Sequence, residues 1–196
     1  LKILYTEEVF KRRNEVGGSI EVICGSMFSG KTEELIRRVN RARIAKLNVE
    51  IFSPVADTRY DKSALVSHNL NSIPSKAVDN ASSILPLSDN IQVVGIDEAQ
   101  FFDAQIPEVC ATLANSGVRV IVAGLDMDFK GRPFGCMPQL MAMADSVTKL
   151  HAVCVKCGQQ AMYSYRLVPD DSKILLGEKE SYEARCRNCF NLDGAI

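Results

Sequence analysis

From Ser19 onward the chain alternates between two hydrophobic rhythms. Short apolar runs at Ile20 to Cys24, Asn48 to Ser53, Ile91 to Ile96 and Val118 to Gly124 are bounded by polar residues or glycine, and each predicts a strand. Between the first two, Thr32 to Leu47 sets Leu35, Ile36, Val39, Ala42 and Leu47 near one face of a helix. Arg37, Arg38, Arg41 and Lys46 fall elsewhere on that helix and read as a solvated face whose positive end complements the helix dipole. Strands alternating with amphipathic helices predict an α/β fold with a mostly parallel sheet flanked by helices. The pattern weakens over 57–89, which is polar, rich in Ser and Asn, and broken by Pro74 and Pro86, so a long loop with short regular pieces is expected there. The texture changes again from His151, giving an expected division into an arm at 1–18, an α/β domain at 19–150 and a small appended domain at 151–196.

Composition narrows the chemistry. In 196 residues, 23 Lys plus Arg nearly cancel 24 Asp plus Glu for a formal charge of -1, so a nucleic-acid polymer is not an expected partner. The apolar runs fall far short of the roughly 20 residues that span a bilayer, which predicts no membrane partner. The opening residues carry acidic groups and do not read as a signal peptide, so the cytoplasm is the expected compartment.

The first strand runs into Gly25, Ser26, Met27, Phe28, Ser29, Gly30, Lys31 and Thr32, the Gly-x-x-x-x-Gly-Lys-Thr order of a phosphate-binding loop, and the helix opens directly after it. Glycine lets successive amides converge on phosphate oxygens, and the helix N-terminus adds partial positive charge. Lys31 can then reach the outer phosphates of ATP, and the Thr32 hydroxyl can ligate Mg²⁺. The strand at Ile91 to Ile96 ends in Asp97 and Glu98. An acid at the carboxyl end of a neighbouring strand lies beside the loop, so Asp97 is expected in the magnesium shell and Glu98 as general base toward an attacking hydroxyl. A guanine-reading Asn-Lys-x-Asp is missing, although Asp128 to Gly131 matches the short Asp-x-x-Gly form. The expected fold is therefore like that of the phosphate-loop NTPases, and the length left over suits a small-molecule kinase. The competing reading is an ATPase or GTPase switch whose zinc ribbon binds a protein or nucleic acid, with Arg185 and Arg187 as its cations; Glu178, Glu180 and Glu183 offset them.

Four of the seven cysteines form two Cys-x-x-Cys pairs, Cys154 with Cys157 and Cys186 with Cys189. Two such knuckles supply the tetrahedral thiolate set of a structural zinc ion, which leaves no open position for chemistry and no need for His151. Cys24, Cys110 and Cys136 carry no expected chemistry.

In this order, the phosphate loop with Met27 and Phe28, Asp57 to Tyr60, Ile96 to Phe102, Gly124 to Asp126, Phe129 to Phe134 and the cysteine pairs resemble the zinc-containing, type II thymidine kinases over about Ser19 to Phe190. The resemblance implies transfer of the ATP γ-phosphate to the 5'-hydroxyl of thymidine, giving dTMP for nucleotide salvage, with deoxyuridine left open as a second acceptor. It also implies Arg59 near the phosphates and Asp57 in the active-site region. Met27, Phe101, Leu125, Phe129 and Phe134 would enclose thymine, with Ser164 near the base and Gly177 and Tyr182 in a lid, or lasso, loop on the zinc-ribbon-like domain. A homotetramer and feedback inhibition by dTTP are further implications. With zinc clamping the lid, its loss is expected to raise the nucleoside requirement before it abolishes ATP binding.

Overall fold

Strand β1 (Ser19–Gly25) shows why the sheet forms: Ile20, Val22 and Cys24 point to one face while Ile23 points to the other, and all four are buried. The same alternation recurs in β7 (Arg119–Gly124), where Val120 and Val122 join the first face and Ile121 and Ala123 the second. A strand apolar on both faces needs cover on both, which is the usual situation of parallel strands. The computed structural model describes residues 17–55, 64–66, 72–87, 90–168 and 181–192. The central sheet also contains β2 (Val49–Pro54), β5 (Lys76–Val78), β6 (Val93–Ile96) and β8 (Ser146–Leu150). Its order is β5-β2-β6-β7-β1-β8, and every pairing is parallel.

Helix α1 (Lys31–Ile44) covers one face with Leu35, Ile36, Val39 and Ala42, as its sequence pattern predicts. The other face is covered by α2 (Ile106–Asn115), through Ile106, Val109, Cys110 and Leu113, and by α3 (Met137–Met143), through Met137 and Leu140. The expected solvated face of α1 needs one correction. Arg37 is exposed, but Arg38 is mostly buried, reaching Glu34 at 2.8 Å, Glu21 on β1 at 2.8 Å and the Thr148 hydroxyl on β8 at 2.9 Å.

Within the expected long loop, β3 (Ala64–Val66) and β4 (Ser72–Pro74) form an antiparallel pair, and β5 adds an edge strand to the main sheet. Beyond β8 the architecture changes to two small antiparallel pairs and a short helix. The pairs are β9 (Ala152–Val153) with β10 (Gln160–Ala161) and β11 (Tyr163–Arg166) with β12 (Tyr182–Arg185), followed by α4 (Arg187–Leu192). Among the described residues no helix is long and apolar enough to cross a membrane.

Candidate active site

The carboxyl ends of β1, β6 and β7 gather the polar residues that the motifs single out. Gly25 closes β1 at φ 143, with Leu150 so near that a Cβ would sit 2.3 Å from its carbonyl oxygen. The chain then curls through Phe28 and Gly30, at φ 64 and 84, and enters α1. Inside the loop the Ser29 hydroxyl and the Lys31 ammonium both donate to the Ser26 carbonyl, each at 2.8 Å, so the buried lysine is held against its own loop.

Asp97 does not lie on the strand next to β1, as expected, because β7 intervenes between β6 and β1. The gap is closed by Thr32, whose hydroxyl donates to Asp97 Oδ2 at 3.0 Å. Burial, together with the negative charge of Glu98, pushes the Asp97 carboxyl up to about 7. A divalent cation at this point would relieve both effects. These two oxygen ligands, hard and anionic or neutral, fit Mg²⁺, which is commonly held by one or two protein groups plus nucleotide phosphates.

Glu98 adopts φ 50 and ψ 42, a left-handed conformation costly for a non-glycine residue and common at functional sites. It turns the chain out of β6 into a 3₁₀ turn, Ala99–Phe101, so that successive residues diverge: Asp97 toward Thr32, Glu98 toward Gln100. Gln100 is buried; its Nε2 donates to Glu98 Oε2, and its Oε1 accepts from the Leu125 amide at 2.9 Å. Because Leu125 supplies a donor, the amide orientation is determined, and a donor must face the Glu98 carboxylate. Gly124 keeps this space open, since a Cβ there would lie 2.8 Å from Gln100 Oε1.

The aromatic and apolar residues expected around a base converge beside these groups. Met27, Leu125, Phe134 and Tyr182 form one buried cluster, with Phe28, Phe101 and Phe129 packed against it. Phe101 meets Phe134 edge to face at 5.6 Å. The cluster therefore draws on the phosphate loop, the turn after β6, the end of β7 and β12. Ser164 lies on β11, buried, with its hydroxyl turned to the phosphate loop and accepting from the Met27 amide at 3.0 Å. Asp57, Arg59 and Gly177 lie outside the described residues.

Cys154, Cys157, Cys186 and Cys189 place their sulfurs within 4.8 Å of one another. Cys157 and Cys186 are 3.6 Å apart, too far for a disulfide and close to the roughly 3.8 Å edge of a tetrahedron with 2.3 Å zinc–sulfur bonds. Burial works to raise the Cys154 thiol, yet backbone amides of Cys186, Lys156 and Cys157 outweigh it and bring it down to about 6, favouring the thiolate. By contrast, Cys24 and Cys110 are buried thiols pushed up to about 11 and about 12 by burial, and they pack as apolar core.

A family profile described as thymidine kinase matches residues 18–190. The chain belongs to the thymidine kinase family. It is 58% identical over 188 residues to the thymidine kinase of Bacteroides fragilis strain YCH46, covering 96% of this chain and 94% of that protein. Identity to the thymidine kinase of Porphyromonas gingivalis strain W83 is 61% over 173 residues, 88% of this chain and 85% of the relative. For the thymidine kinase of Rhodothermus sp. strain ITI 518 it is 55% over 184 residues, 94% and 86%.

In this member of the thymidine kinase family, three residues that touch these groups or their chain neighbours carry no expected role in the sequence reading. Gln100 stands inside a family-specific string, so a signal existed. Arg166 had none: it sits in an ordinary-looking strand, yet it is buried, stacks 3.6 Å from the Phe129 ring centroid and donates to the Tyr182 hydroxyl at 2.8 Å. Lys149, at the end of β8, pairs with buried Asp126 at 2.6 Å.

Proposed function

We propose that the protein is an ATP-dependent kinase acting on the 5'-hydroxyl of thymidine. The observation that carries this reading is the meeting of an apolar, aromatic cluster of nucleoside-base character with Glu98 on one side and a phosphate loop on the other. A switch NTPase has no need of such a cluster, and family membership points the same way.

In this mechanism the loop amides and Lys31 hold the β- and γ-phosphates, Lys31 exchanging the Ser26 carbonyl for phosphate oxygen. Thr32 and Asp97 hold Mg²⁺, which when bound neutralises charge on the transferring phosphoryl group. Met27, Phe101, Leu125, Phe129, Phe134 and Tyr182 fix the base and exclude water, with Ser164 near them on the loop side, and the family resemblance assigns Gly177 to the same enclosure. The same resemblance assigns Asp57 to the active-site region and Arg59 as a second cation near the phosphates. Glu98 accepts the proton of the 5'-hydroxyl as its oxygen bonds to the γ-phosphorus and the bond to the β-phosphate oxygen breaks, leaving ADP and dTMP. Zn²⁺ held by the four cysteines is structural. A homotetramer in the cytoplasm, inhibited by dTTP spanning the nucleoside and phosphate sites, completes the reading. The test is ATP turnover with and without thymidine: thymidine-dependent formation of dTMP and ADP is expected, and hydrolysis indifferent to nucleosides would overturn it.

A further inference from the structure

One face of β11 is turned to the phosphate loop. Along the strand Tyr163 and Tyr165 pack on Phe190, at 4.3 Å stacked and 6.1 Å edge-on, so the intervening Ser164 and the following Arg166 face the core. Ser164 is buried and accepts from the Met27 amide at 3.0 Å. A second bond runs the other way, from the Ser26 hydroxyl to the Ala161 carbonyl at 3.4 Å. The next loop residue, Phe28, holds a left-handed φ of 64 and packs against Ala152, Cys154, Ala161 and Ala184, the small core around the thiolate set. Three consecutive loop residues thus touch the zinc-binding segment, two through hydrogen bonds and one through its ring.

We propose that Ser164 is a positioning residue for the phosphate loop, holding its first turn in the nucleotide-binding shape before any nucleoside arrives. This rests on the reading of the loop as the ATP site. The loop works by aiming successive amides at phosphate oxygens, and a glycine-bounded turn left unanchored must be ordered at the cost of affinity. Ser164 also satisfies a buried amide that would otherwise be unpaired. The consequence differs from the sequence-based expectation for zinc: because Phe28 of the loop packs on the same small core as Cys154, Cys186 and Cys189, losing the metal weakens ATP binding directly, without a nucleoside in the site.

Thr and Val are nearly isosteric, so Ser164→Thr and Ser164→Val differ chiefly in the hydroxyl. Binding of magnesium AMP-PNP is measured by calorimetry with no nucleoside present, alongside hydrogen exchange at the Met27 amide. Ser164→Thr is expected to bind within about twofold of the parent, and Ser164→Val about 3- to 10-fold more weakly, with faster Met27 exchange. Parent-like affinity in Ser164→Val, with an effect only on the nucleoside KM, would overturn the proposal and make Ser164 a base contact. Should the valine variant not fold, the parent alone still decides: Met27 must be protected among the loop amides, and free exchange there overturns the anchor. A parent that binds AMP-PNP but never phosphorylates thymidine would remove the kinase reading instead, since the Ser164 result is taken from nucleotide binding alone.

Discussion

The central sheet buries Val22, Ile96, Val122 and Leu140 in a cluster on one face and Ile23, Leu35, Val39 and Ile121 in another, while β9 to α4 surround their thiolates with Ala152, Cys154, Ala161 and Ala184. Large branched side chains on both faces remove enough apolar surface from water to hold the sheet without help. Alanine and cysteine bury far less each. The zinc segment needs a cross-link to keep the geometry around its thiolates, and among its described residues the large buried aromatic side chains are Phe190 and Tyr163, stacked on each other with Tyr165 edge-on to Phe190, and Tyr182, which joins the cluster beside the phosphate loop. What the contrast teaches concerns placement: the sheet and the helix after its first strand carry Lys31, Thr32, Asp97 and Glu98, and the metal-held part carries Ser164, which meets the Met27 amide, and Tyr182, which joins the cluster of Met27, Leu125 and Phe134.

The largest effect expected to separate the two regions is metal removal. Structural zinc in small domains contributes on the order of 10 kcal/mol. A chelator, or Cys186→Ser, is expected to unfold β9 to α4 and abolish turnover while the far-UV circular dichroism of the sheet persists. Loss of both in a single transition would show that the two regions are one cooperative unit. Next in size, Glu98→Gln is expected to lower kcat by about 100- to 10,000-fold with zinc content and ATP affinity unchanged. Near-parent turnover in that variant would remove Glu98 as the base and leave the fold intact.

How much of this was legible in the sequence follows the same division. The phosphate loop, the Asp97-Glu98 strand end and the cysteine pairs are local in the chain, and each was readable because its chemistry demands fixed spacing. Strands β5 and β8 were not individually read: Lys76–Val78 is three residues long, and Ser146–Leu150 has mostly exposed side chains, as suits sheet edges. The interposition of β7 between β1 and β6 follows from chain topology, which hydrophobic runs do not encode. The contacts of Ser164 with Met27 and of Arg166 with Phe129 join residues distant in sequence, so no window of residues could reveal them.

A third measurement tests the sheet alone. Leu140→Ala empties a fully buried position between α3 and β1's face of the sheet, and a cost of about 2–5 kcal/mol is expected from lost transfer energy and the remaining cavity. Zinc stoichiometry is expected to stay at one per chain in the folded fraction. A variant that lost zinc before its sheet unfolded would tie the two regions together more tightly than their separate cores imply.

The smallest effects lie on α1, where Arg37 and Arg38 share Glu34 but not an environment. Arg37 meets it through two short bonds, at 2.6 and 2.7 Å, yet its side chain is 58% exposed, whereas that of Arg38 is 13% exposed and also reaches Glu21 and Thr148. The Arg37 bond is the largest cause, opposed by burial and assisted by Arg38, that lowers the Glu34 carboxyl from 4.5 to about 2. Because the folded value lies below the unfolded one, this stabilisation is complete above about pH 4.5 and is lost as pH falls toward 2. The exposed Arg37 share is screened by solvent and salt. Arg38→Ala is therefore expected to cost about 1–2 kcal/mol and to keep that cost in high salt, because it removes one of the two guanidinium groups that hold the mostly buried Glu21, leaving Arg119 alone, together with the bond to Thr148. Arg37→Ala is expected to shift the melting temperature only at low ionic strength, by an amount that is full above about pH 4.5 and shrinks as pH falls toward 2. Equal, salt-insensitive losses in the two variants would mean that solvent does not distinguish the two arginines, and the burial contrast along α1 would have no energetic consequence.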